Sequence, residues 1–156
     1  MNPLSFTASV IALIRLTGTV ITLLSAVKDT SKARHQCELE VKNILHLLEN
    51  LRDRCDGRNS RDPWFASVRQ LSVSGGLFDQ FRDALKQLQH ELEPAKGLKR
   101  AGKTLAWKFN ATDLERIFSV IERLKSSLQI ELENDHLSVP PIVCGFQRSL
   151  IRMFLQ

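Results

Sequence analysis

Residues Asn2 to Val27, NPLSFTASVIALIRLTGTVITLLSAV, contain one charged side chain, Arg15, and their apolar residues spread over most of a helical wheel. A helix of that kind has to be buried, whether in a helical bundle, across a membrane or in a secretory translocon. Asn2 before Pro3 reads as a cap followed by proline at the first helical position, where its missing N–H costs nothing. The helix is therefore expected to start at once. A secretory signal places basic residues ahead of its apolar core, whereas here the basic residue sits inside it, so a cleaved leader is not expected.

A span of roughly 20 apolar residues crosses a hydrocarbon core, and this run is long enough. Arg15 near its midpoint and the hydroxyls of Ser5, Thr7, Ser9, Thr17, Thr19, Thr22 and Ser25 argue against a permanent span. At about 100° per residue, Ala8, Ala12, Arg15, Thr19, Thr22 and Ala26 gather into a small, weakly polar stripe. Phe6, Val10, Leu13, Ile14, Val20, Ile21 and Leu24 cover the opposite arc. The expectation is an amphipathic helix of unusually low polarity, buried in a soluble bundle.

The rest of the chain supplies the partners. After the polar break KDTSKARHQ, with Thr30 or Ser31 as a cap, Cys37, Val41, Ile44, Leu45, Leu48, Leu51 and Cys55 recur at helical steps up to Gly57. Glu38 and Lys42 on that helix have ion-pair spacing and read as a solvated face. Asp62 and Pro63 repeat the cap-then-proline start, opening a short helix with Trp64, Phe65, Val68 and Leu71 that SVSGG stops. Leu77, Phe81, Leu85, Leu88 and Leu92 mark the next helix, ended by Pro94. Asn110 caps the last, with Leu114, Ile117, Phe118, Ile121, Leu124, Leu128 and Leu132 running to about Asn134. The fold expected is all-α, a bundle of about four long helices with one or two short ones. It occupies residues 1–135, followed by a tail or linker at 136–156 carrying Pro140, Pro141 and a basic amphipathic end.

Composition narrows the function by exclusion. The 156 residues are 43% hydrophobic and 25% charged, which is ordinary for one globular domain, and a formal charge of +5 permits an anionic partner without selecting one. Cys37, Cys55 and Cys144 lack C-x-x-C spacing and read as reduced cytosolic thiols rather than a zinc site or disulfide framework. The four histidines have no second histidine at metal-ligand spacing and no nucleophile in an elbow, so an enzyme, a metal and a cofactor are not expected. With two Trp and no Tyr, no interleaving of aromatic and basic residues suggests nucleic acid.

The most basic stretch, KGLKRAGKTLAWKF, holds Lys96, Lys99, Arg100, Lys103 and Lys108 without an acid. Such a stretch is drawn to anionic lipid at roughly 1 kcal/mol per basic residue, although a solvated connector explains it equally. Gly97, Gly102, Lys103 and Thr104 in it match a phosphate-binding loop. That pattern needs a buried strand before it, and HELEPAK is a helix end, so nucleotide binding is rejected.

Taken together, the opening NPLSFTASVIALIRLTGTV, the break VKDTSKAR, the central VRQLSVSGGLFDQFRDALKQLQHEL and GLKRAGKTLAWKFNATDLERIFSVIERLKSSLQIELEND resemble the fungal HeLo-like N-terminal domain of STAND (NOD-like) receptors. The likeness covers about Met1 to His136, with Asn2 where the family usually has aspartate. It implies a helical bundle related to the HeLo cell-death domain and a cytoplasmic protein recruited to the plasma membrane on activation. There it would self-assemble, release its apolar N-terminal region and permeabilise the membrane in programmed cell death, in heterokaryon incompatibility or innate immunity. Implied partners are other copies of the chain, anionic lipids and an NLR or ankyrin-repeat receptor, with no nucleic acid. The residues to carry insertion are Phe6, Val10, Leu13, Ile14, Val20, Ile21 and Leu24. Placing Lys96, Lys99, Arg100, Lys103 and Lys108 at anionic lipid rests on electrostatics alone. The rival expectation is a non-lytic adaptor whose surface mediates homotypic contacts.

Overall fold

The computed structural model describes residues 3–28, 31–93 and 107–137. They form five α-helices, α1 (Pro3–Ala26), α2 (Lys32–Cys55), α3 (Pro63–Val68), α4 (Leu77–Leu92) and α5 (Ala111–Leu137), with a 3-10 turn at Arg69–Ser72. No strand occurs among the described residues, so the all-α bundle of four long helices stands as expected.

The helix starts follow the caps legible in the chain. The Ser31 hydroxyl accepts from the Arg34 N–H at 3.3 Å, the Asp62 carboxylate from the Trp64 N–H at 2.9 Å, and the Asn110 side chain from the Asp113 N–H at 2.8 Å. Past the end of α2, Gly57 has φ +72°, a left-handed conformation that favours glycine. Helix α5 is described as far as Leu137, about three residues past the end near Asn134 that its periodicity suggests.

Burial in three of the four long helices, α1, α2 and α4, follows alternating three- and four-residue steps. In α1 and just beyond it, the buried positions are Phe6, Val10, Leu13, Thr17, Val20, Leu24 and Val27; in α2 they are Cys37, Val41, Ile44, Leu48, Leu51 and Cys55. Phe78, Phe81, Leu85, Leu88 and Leu92 continue the pattern in α4. This is the narrow seam of coiled-coil-like packing, which suits a bundle of nearly aligned helices. The α4 seam starts at Phe78 rather than Leu77, which is only half-buried.

Around the bundle, α1 lies between α2 and α4, and α5 lies between the same two on the opposite side. Gln80 bonds Arg123 and Gln87 bonds Arg116, so α4 and α5 run antiparallel. Glu40 pairs with Lys125 and Arg54 with Asp135, so α2 and α5 run parallel. The connection from α2 to α4 must therefore cross the bundle diagonally. Helix α3 and the 3-10 turn make that crossing and close one end, where Trp64 and Phe65 are buried.

Candidate membrane-active helix

Helix α1 is 24 residues long and apolar enough, by length and composition, to cross a membrane. Its seam faces the core and its opposite stripe faces water: Ala8, Ala12, Arg15, Thr19, Thr22 and Ala26 are all exposed. Of the arc predicted to insert, Phe6, Val10, Leu13, Val20 and Leu24 are buried, while Ile14 and Ile21 are half-buried at its edge. The structure thus collects all seven on the inward side of one helix.

Two features escape a reading of the sequence. Thr17 belongs to the seam rather than to the polar residues, and is fully buried. Its hydroxyl donates to the Leu13 carbonyl at 2.6 Å, so burial leaves nothing unpaired. The hydroxyls of Ser9, Thr19 and Thr22 likewise donate to the carbonyls of Ser5, Arg15 and Gly18, each one turn back at 3.1 Å. Four hydroxyls that counted against a membrane are therefore satisfied by the helix itself. Secondly, Ile14 and Ile21 on one flank of the seam and Leu16 and Leu23 on the other are only half-buried, as is Ile11, and Leu4 is 81% exposed. The helix carries more apolar surface than the bundle covers.

Each end of α1 is fastened differently. At the amino end the Phe6 ring meets Phe65 edge-on at 5.5 Å and stacks on Phe78 at 5.8 Å. At the other end α1 has no basic residue in its last turn, and Arg34 of α2 supplies that charge by donating to the Leu24 carbonyl at 3.1 Å. Glu38 accepts from the Ser25 hydroxyl at 2.8 Å and from Arg34 and Lys42 at 2.9 Å each. Read from spacing alone Glu38 was a solvated surface acid; in the fold it is a clip between α1 and α2.

Hydrogen bonds, first from Lys42 and then from Ser25, hold the Glu38 carboxyl at about 2 against an ordinary 4.5. A carboxyl with a lowered value stabilises the fold above its unfolded value, and that contribution is lost as pH falls through the window from 4.5 to 2. Thermal melts across this window are expected to show a falling Tm in the native chain. Glu38→Gln should flatten that slope and cost about 1 kcal/mol at neutral pH, since Lys42 is solvent-facing.

A second polar cluster clasps the end where Phe6 lies. Asp135 accepts from Arg54 at 2.9 Å and also pairs with Arg58, which bonds Asp62 at 2.8 Å and covers the Trp64 ring at 4.4 Å. The Trp64 indole N–H donates to the Glu131 carbonyl at 2.7 Å. Asp135 is 8% exposed, so Asp135→Ala leaves two arginines short of a shielded partner. A loss of about 2 kcal/mol is expected, read as a lower urea midpoint at unchanged slope; it stays below a fully buried pair because Arg58 keeps Asp62.

The basic stretch fares differently. Lys96, Lys99, Arg100 and Lys103, with the phosphate-loop-like Gly97 to Thr104, lie outside the described residues. Lys108 is exposed, between Trp107 and Phe109, whose rings meet at 4.7 Å and pack partly buried against the core. Cys37 and Cys55 occupy seam positions; burial, reinforced by Glu38, pushes the Cys37 thiol up to about 12, and burial raises Cys55 to about 11. No group of three or more His, Cys, Asp or Glu able to hold a metal ion occurs among the described residues.

Comparison of the chain with protein families, with curated proteins and with solved structures finds no match.

Proposed function

We propose that this chain is a HeLo-like effector domain whose α1 exchanges burial in the bundle for burial in an anionic membrane. The observation that carries the reading is the makeup of α1. Its apolar surface exceeds what the bundle covers, and its Ser9, Thr17, Thr19 and Thr22 hydroxyls bond its own backbone. Moving such a helix into lipid strands none of those hydroxyls, and lipid leaves backbone polar groups no other partner. Apolar burial is worth about 25 cal/mol per Å² in either place, so the two states compete closely. Competing burial partners make a switch.

The opposite fastenings give the switch a direction. The amino end is held by apolar contacts with Phe65 and Phe78, while the other end is held by the charged clip at Arg34 and Glu38. Release from the amino end, with the clip as hinge, keeps the α1–α2 connection intact. Self-assembly would loosen the first contact, with Lys96, Lys99, Arg100, Lys103 and Lys108 holding the assembly at phosphatidylserine. The likeness to STAND-receptor amino-terminal domains points the same way.

The test is dye release from vesicles with and without phosphatidylserine, beside co-sedimentation with the same vesicles, using the chain alone and clustered through a fused dimeriser. Leakage that requires the anionic lipid is the expected result. Neither binding nor leakage, even from clustered protein, would overturn this reading and leave a non-lytic adaptor.

A further inference from the structure

We infer that membrane-inserted α1 lines an anion-preferring aqueous path, with Arg15 of several copies turned toward its lumen. The inference rests on the membrane reading above and adds the ion that passes. In the bundle Arg15 is exposed and makes no ion pair among the described residues. It has twelve helical residues before it and eleven after, so in a spanning helix it sits at the midplane, about 15 Å from either edge of the hydrocarbon. At that depth an arginine faces protein or water, not lipid.

The helix offers it no other solution. Pro3–Ala26 contains no aspartate or glutamate, so Arg15 finds no counter-charge on its own or a neighbouring copy of α1. Water and mobile anions remain. The two faces of the helix make that arrangement available in one rotation. The seam of Phe6, Val10, Leu13, Val20 and Leu24, turned inward in the bundle, turns outward to lipid. The stripe that faced water, with Ala8, Ala12, Thr19 and Thr22 flanking Arg15, then faces the path. A ring of guanidinium groups at the narrowest depth favours anions over cations.

Planar bilayers containing phosphatidylserine, with the full chain added under a potassium chloride gradient, give the chloride-to-potassium permeability ratio from the reversal potential. Chloride preference is expected for the native chain and for Arg15→Lys, loss of preference for Arg15→Gln, and inversion to potassium for Arg15→Glu. Because Arg15 is exposed in the bundle, all three variants are expected to keep the native helical spectrum and melting temperature. Conductance whose selectivity ignores the residue at position 15, or potassium preference in the native chain, overturns the lumen assignment while the membrane reading stands. Absence of any conductance or leakage from the native chain overturns both.

Discussion

Ile14→Glu combined with Ile21→Glu is expected to leave a folded bundle and abolish leakage of phosphatidylserine vesicles. Both isoleucines are half-buried at the edge of the α1 seam, packed against the core but reaching water. A glutamate there can lay its stem on the apolar surface and carry its carboxylate outward, so the folded state loses about 1 kcal/mol per site. In a membrane neither position has that exit. They lie on the arc that would face lipid, where a charge near the bilayer centre costs about 2.5–3.5 kcal/mol on insertion scales. Leu13, by contrast, is 4% exposed, and an acid there would unfold the bundle and confuse the two effects. The measurements are circular dichroism, thermal melting and dye release, with Ile14→Gln and Ile21→Gln as the uncharged control. A folded glutamate variant that leaks like the native chain would refute insertion through this arc.

Phe65→Ala should act in the opposite sense. Phe65 is fully buried in α3 and meets the Phe6 ring edge-on, so its removal opens a cavity beneath the amino end of α1. Truncating a buried phenylalanine costs about 3–5 kcal/mol, a large share of the about 5–15 kcal/mol that holds a domain together. No lipid-facing side chain of α1 is altered by the change. If α1 leaves from its amino end, the variant is expected to leak vesicles at lower protein concentration while its urea midpoint falls. Destabilisation without a gain in leakage would detach α3 from the switch. Phe65→Leu, which fills more of the cavity, should fall between the native chain and the alanine variant in both measurements.

Much of this architecture was legible in the chain because its causes are local. Ser31, Asp62 and Asn110 cap helices through bonds spanning two or three residues, and a hydroxyl, carboxylate or carboxamide before a helical pattern is visible without a fold. The apolar arc of α1 was legible for the same reason, since its seven residues share one face by helical geometry alone. Thr17 had no place on either face of α1 in the sequence, because only its bond to the Leu13 carbonyl reconciles a hydroxyl with the core. Glu38 was misjudged because its spacing to Lys42 is a common surface pattern, whereas its bond to Ser25 depends on how α1 packs.

The sequence by itself determined an all-α chain, its helix starts and the faces of each helix, because capping and periodicity act within a turn or two. Tertiary structure alone decided the order of helices around the bundle, with α1 diagonal to α5 and α3 crossing one end. It also brought Asp135 to Arg54 and Arg58, and set Arg34 at the carboxyl end of α1. Asp135 and Arg54 are 81 residues apart, and nothing near either in the chain marks the other. Such pairs form only once the seams have packed, since the apolar seams fix which helix ends coincide and the charges at those ends then find their partners.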